Sequence, residues 1–104
     1  GSLFYEPKDI LYFEADGCYT KIHTVSQRVE MVAKNIGQIE LELPDHHFFR
    51  ISRSAIINMG YLNKIDRLKK SVNLHGKNKE ISIKASRERL FNLEVKVSEL
   101  NNLW

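Results

Sequence analysis

A chain of 104 residues with 42% hydrophobic and 28% charged side chains has the size and balance of one folded domain, with little room for long disordered tails. No apolar run approaches the roughly 18 residues of a membrane-crossing helix. The single cysteine, Cys18, excludes an internal disulfide and a cysteine-built zinc cage, so a reducing cytoplasm is the expected compartment.

The net charge of +3 conceals a segregation. Residues 1–49 hold four basic and eight acidic side chains, whereas residues 50–89 hold eleven basic and three acidic ones. A basic stretch of this kind suits a polyanionic partner, through attraction and release of its counterions, and the cations from Arg50 to Arg89 are expected to gather on a single side of the fold.

Gly1-Ser2 reads as a cloning remnant and residues 1–8 as that remnant plus linker, so the domain is expected over 9–104. Residues 9–14 are apolar and aromatic and stop at the turn signal Ala15-Asp16-Gly17. Residues 18–25 alternate, with Thr20, Ile22 and Thr24 on one face and Tyr19, Lys21 and His23 on the other. Ser26-Gln27 connects them tightly to a further alternating run, 28–32, and the three segments predict an antiparallel meander. A short helix is predicted near 35–43. There Asn35 can cap, Gln38 completes a capping box, and Ile36, Ile39 and Leu43 share a face. Pro44-Asp45 stops it, since proline cannot continue the hydrogen-bond ladder.

Strand patterns return at 48–51, 55–58, 61–68, 71–74 and 80–85, with Lys69-Lys70 and His75-Gly76-Lys77-Asn78 as polar turns. From Ser86, a second cap, the period becomes helical. Leu90, Leu93, Val97 and Leu100 form the apolar stripe of a C-terminal helix near 87–100. Short strands with two helices in one small unit predict a mainly β fold, with sheets packed as a sandwich or roll.

No catalytic constellation emerges, and no cofactor is implied. His46 and His47 are adjacent, which in extended chain turns them apart rather than onto a shared metal, so they read as surface histidines ahead of a buried strand. Nothing brings Ser52, Ser54 and His75 together as nucleophile and base, and Gly60 and Gly76 are lone turn glycines rather than a phosphate loop. Reading of DNA by a helix is also disfavoured. The first helix carries Glu40 and Glu42, and the second is basic only at Arg87 and Arg89 before Glu94, Lys96 and Glu99. The cations lie on strands, strand ends and turns, so loops must do any reading.

The run Phe48-Phe49-Arg50-Ile51-Ser52-Arg53-Ser54-Ala55-Ile56-Ile57-Asn58 strongly resembles the LytTR family, the DNA-binding output domain of many bacterial response regulators, whose pattern is F-x-R-x-H-R-S-x-[IV]-[IV]-N. Asp9-Ile10-Leu11-Tyr12-Phe13-Glu14-Ala15 is similar to its opening strand and Ile36-Gly37-Gln38-Ile39-Glu40-Leu41-Glu42-Leu43 to its short helix. Asn63-Lys64-Ile65-Asp66 and Ile83-Lys84-Ala85-Ser86-Arg87 resemble its later strands and their exit. Ser52 departs from the pattern, where the family often has histidine, which puts a contact from that position in doubt.

The resemblance implies an elongated fold of about ten short strands in small antiparallel sheets, with loops entering successive major grooves of a bent duplex. It places DNA contacts at Tyr19 and Lys21, at Arg53 with Ser54, and at the exit of the last strand, Ser86 and Arg87. It also implies an upstream receiver domain and no membrane contact from this domain.

Arg53 is the strongest of these, because a guanidinium can grip guanine O6 and N7 together, a contact worth about 1–3 kcal/mol of discrimination. The competing role is a surface ion pair worth under about 1 kcal/mol. Arg87 at a helix start opposes the helix dipole, a conflict that a phosphate there relieves, with Ser86 donating alongside. Lys69, Lys70, Lys77 and Lys79 sit on hairpin tips and suit non-specific backbone contact or solubility equally. Asn58 reads as a turn stabiliser, and Tyr12, Phe13, Phe48 and Phe49 as packing. One small module buries limited surface, so two copies on repeated half-sites are expected. The alternative functions are a basic protein-interaction module facing an acidic partner and an RNA-binding sheet, although the exposed aromatics of the latter are not evident.

Overall fold

The computed structural model describes residues 5–44 and 46–101. In chain order these form β1 (Ile10–Asp16), β2 (Tyr19–Thr24), β3 (Val29–Val32), α1 (Ile36–Glu42), β4 (Phe48–Ser52), β5 (Ala55–Asn58), β6 (Leu62–Asp66), β7 (Ser71–Gly76), β8 (Lys79–Lys84) and α2 (Arg87–Asn101). The eight strands among the described residues correspond to the eight strand-like segments of the sequence, against the about ten that the resemblance implies. They make two antiparallel sheets, ordered β3-β2-β1-β5-β4 and β6-β7-β8, in a body 40 × 25 × 24 Å. The fold is therefore mainly β and elongated.

Each boundary has a local cause. Asn35 Oδ1 accepts the Gln38 N–H and Gln38 Oε1 accepts the Asn35 N–H, both at 2.9 Å, so the capping box forms and starts α1. The helix gives way at Leu43, which is extended ahead of Pro44. Asp45, the other half of the predicted stop, lies outside the described residues, as do Gly1 and Ser2.

The segment predicted as a strand over 61–68 is shorter. Asn58 Oδ1 accepts the Gly60 N–H at 2.9 Å and organises a 3-10 turn, Met59–Tyr61, before β6 can begin. His75 and Gly76, predicted as turn, instead extend β7 until Gly76 pairs with Lys79. That leaves a two-residue turn in which Asn78 takes the left-handed conformation (φ 62°) that Asn tolerates.

Alternation along β1, β4 and β5 sends apolar side chains to both faces of the larger sheet. On one face Ile10, Phe13, Ile22, Phe48 and Ile56 pack beneath Ile36 and Ile39 of α1. On the other, Leu11, Ile51, Ala55 and Ile57 meet Val72, Leu74 and Ile83 of the smaller sheet and Leu90 and Leu93 of α2. Phe13 and Phe48 meet edge to face, with ring centroids 5.6 Å apart, so these aromatics are packing residues as predicted. The α2 stripe is buried at Leu90 and Leu93, but it has run out to solvent by Leu100. Asn58 is buried as well. Its Nδ2 donates to the carbonyls of Pro7 (2.9 Å) and Ile10 (2.8 Å), which ties the segment before β1 to the end of β5.

Candidate nucleic-acid interface

Antiparallel pairing puts four chain reversals or exits at one end of the sheets. The β1–β2 turn closes where Asp16 faces Tyr19, the β4–β5 turn where Ser52 faces Ala55, and the β6–β7 turn where Asp66 faces Ser71. The end of β8 lies there too, because Lys84 pairs with Ser71. Backbone hydrogen bonds outside the ladders stitch these segments together. Ser54 O accepts the Ala15 N–H (2.8 Å), Ile51 O accepts the Ser86 N–H (2.9 Å), and Lys70 O accepts the Ala85 N–H (2.9 Å). The three places at which the resemblance puts DNA contacts are thus adjacent, and the Lys69-Lys70 turn joins them.

Tyr19 opens β2 with 49% of its surface exposed. Lys21, two residues on and on the same face, is half-buried with its ammonium 4.0 Å from Asp16. Arg53 and Ser54 occupy the β4–β5 turn and are exposed. The Ser54 N–H donates to Ser52 Oγ at 3.2 Å, which tightens the turn at the position where the family often has histidine. Ser86 caps α2, its Oγ accepting the Arg89 N–H at 3.2 Å, and Arg87 is the exposed first residue of that helix. Among the described residues, Arg53, Lys69, Lys70, Lys84 and Arg87 are exposed and make no side-chain hydrogen bond or ion pair. Lys84 was not among the predicted contacts. The signal for it was its outward place in the alternation with Ile81 and Ile83.

The basic stretch does not converge as a whole, which corrects the simple reading of its charge count. Arg67 grips Glu94 of α2 through Nε and Nη2 (Nη2–Oε2 2.6 Å), and this pairing raises the guanidinium pKa above its ordinary value. Arg50 is turned inward, with Nη1 donating to Glu40 Oε1 at 2.7 Å. Lys77 lies in the β7–β8 turn and Lys79 opens β8, at the opposite end of β7. The histidine pair needs a correction too. His46 and His47 lie in a turn, not in extended chain, and their rings meet at 4.1 Å between centroids instead of diverging. Among the described residues no group of three or more His, Cys, Asp or Glu side chains is placed to hold a metal ion.

The Lys69-Lys70 turn is held by a carboxylate. Asp66 Oδ1 accepts the Lys69 N–H at 3.0 Å, and this bond, aided by the nearby lysine ammonium groups, lowers the Asp66 pKa. A depressed folded-state pKa gives stability that is present above the ordinary carboxylate value and lost as pH falls through the depressed one. Asp66→Asn is therefore expected to melt below the parent at neutral pH, with the gap closing in acid. Thermal unfolding of both proteins from about pH 7 to about pH 2, spanning the usual Asp range, checks this. A gap that stays constant across the series would remove the ionised carboxylate from the account.

Comparisons with known proteins bear on the family and the fold. The family model of the LytTr DNA-binding domain matches residues 1–98. Two heme-containing CO-sensing transcriptional regulators of Paraburkholderia xenovorans, RcoM 2 and RcoM 1, are each 36% identical to the chain over 67 residues, or 64% of this chain. The matched part is 25% of each regulator, so the chain corresponds to about a quarter of their length. Among solved structures, the LytTr DNA-binding domain of a Bacillus cereus protein assigned as a methyl-accepting/DNA response regulator shares the fold, with a TM-score of 0.68 at 19% identity over 86% of this chain and 81% of that one. With nearly its whole length covered by that family model, the chain belongs to the LytTr family, whose members are DNA-binding rather than catalytic domains of transcriptional regulators.

Proposed function

We propose that this domain binds promoter DNA sequence-specifically through the end of the molecule where the β1–β2 turn, the β4–β5 turn and the β8–α2 junction meet. In this reading Arg53 takes a guanine edge in the major groove, with Ser54, Tyr19 and Lys21 beside it. Ser86 and Arg87 approach the neighbouring groove or its phosphates, while Lys69 and Lys70 hold the backbone. The domain acts as the output module of a two-component response regulator in the bacterial cytoplasm, follows a receiver domain, and occupies repeated half-sites as two copies. The observation that carries the reading is the convergence of these loops, joined by backbone hydrogen bonds and carrying five exposed cations that make no side-chain hydrogen bond or ion pair among the described residues.

Phosphate contact has a thermodynamic signature. Each neutralised phosphate releases condensed counterions and contributes about −0.9 to the slope of log K against log salt, so phosphate contact by the four cations other than Arg53 (Lys69, Lys70, Lys84 and Arg87) predicts a slope of roughly −3 to −4. Binding of the chain to a duplex recovered by in-vitro selection, and to a random duplex of equal length, is titrated over a range of salt. Lys69→Ala is expected to weaken both duplexes alike and to reduce the slope by about 1. A flat salt response, or a selection that recovers no preferred sequence, rejects the proposal and leaves the basic end to an acidic protein partner.

A further inference from the structure

Arg50 belongs to the basic stretch by sequence, but its guanidinium is already engaged. The side chain is only 17% exposed, and each nitrogen has its own acceptor. Nε donates to Ser52 O at 2.8 Å, Nη2 to Arg53 O at 2.8 Å, and Nη1 to Glu40 Oε1 at 2.7 Å. One planar group thus holds two successive carbonyls of the β4–β5 turn and fastens them to α1. The same stretch carries an irregularity in strand register between Arg50 and Ser52, the kind of bulge that re-aims side chains at functional edges. The helix end of this strap is itself anchored. Asn35 and Gln38 cap α1, Ile36 and Ile39 are buried against the sheet, and Lys34 bonds Glu42 at 2.8 Å.

We infer that Arg50 and Glu40 are positioning residues for base recognition: they fix the backbone from which Arg53 projects, and α1 serves the interface without touching DNA. The inference rests on the proposed DNA-reading role of the β4–β5 turn. It also gives Glu40 a purpose. A carboxylate near a polyanion should weaken binding, yet this one completes the acceptor set of a guanidinium whose other donors shape the reading turn. Lysine cannot substitute, because an ammonium is a point charge without the rigid fork that reaches three acceptors in one plane.

The test turns on a reversal of sign. Simple electrostatics predicts that Glu40→Gln, which removes a negative charge, strengthens binding to every duplex. Positioning predicts instead that the affinity ratio of selected over random duplex falls roughly three- to tenfold, part of what one bidentate base contact contributes, while random-duplex affinity holds or rises. Arg50→Lys, which keeps the charge, is expected to lower the same ratio by about tenfold with the random-duplex salt slope unchanged. In the Arg53→Ala background, Glu40→Gln should have no further effect on the ratio, because the contact it positions is gone.

Thermal unfolding establishes that each variant is folded at the assay temperature. If Arg50→Lys is not, Glu40→Gln decides alone. An unchanged or raised ratio in Glu40→Gln, or an equal loss on both duplexes, overturns the inference and leaves the functional reading standing. If Arg53→Ala itself leaves base preference intact, both fall together.

Discussion

Ile57→Ala is expected to lower folding stability by about 2–5 kcal/mol, the cost of deleting a large aliphatic side chain from a core that cannot collapse around the loss. Ile57 is fully buried on β5, in a core cluster that gathers side chains from three sources: its own sheet (Leu11, Ile51), the smaller sheet (Val72, Leu74) and α2 (Leu90, Leu93). A cavity there lies at the junction of all three, and backbone pairing on both sides of β5, to Tyr12 and to Phe49, resists inward movement. A domain of this size has a total stability of about 5–15 kcal/mol, so the loss is a large fraction. Urea unfolding should show a lower midpoint with an unchanged slope. A change below about 1 kcal/mol would mean that the two sheets close the gap, contrary to the close packing expected of such an interior.

Arg53→Ala is expected to act on the opposite property. Its side chain is exposed and makes no contact that the fold needs, so stability should stay within about 0.5 kcal/mol of the parent. Binding should instead lose about 1–3 kcal/mol of discrimination at one base-pair position, roughly 5- to 150-fold, because alanine cannot replace a guanidinium spanning guanine O6 and N7. Affinities for duplexes carrying each of the four bases at every position of the selected site measure this directly. Loss spread evenly over all positions, with the salt slope reduced by about 1, would make Arg53 a phosphate contact instead.

The parts of this molecule that follow from neighbours in sequence were readable in advance. Alternation exposed β2 with Tyr19 and Lys21 on one face, the Asn35–Gln38 box started α1, and Ser86 announced α2. The motif around Arg53 falls on the β4–β5 turn. What escaped the reading depends on partners distant in the chain. Nothing local to Arg50 says that Glu40 will meet it, nor that Glu94 will take Arg67 out of the set of free cations. Nor does the count of lysines reveal that Lys77 and Lys79 face away from Lys69 and Lys70, since that depends on the direction of β7. Adjacency of the three loops is likewise non-local, because it rests on the Ala15–Ser54 and Ser86–Ile51 hydrogen bonds.

Burial of β5 on both of its faces has a consequence for how its alignment is chosen. In a strand with one greasy and one wet side, sliding by a single residue exposes every apolar group, and that penalty selects the pairing. Ile56 and Ile57 could exchange places at little hydrophobic cost, since each would still enter an apolar layer. The choice therefore passes to directional groups at the strand's extremities. A one-residue slip would pull the Asn58 amide off the Pro7 and Ile10 carbonyls at one end and carry the Ser52 and Arg53 carbonyls away from the guanidinium at the other. Polar pins, rather than oil, decide where along the sheet the turn bearing Arg53 comes to rest.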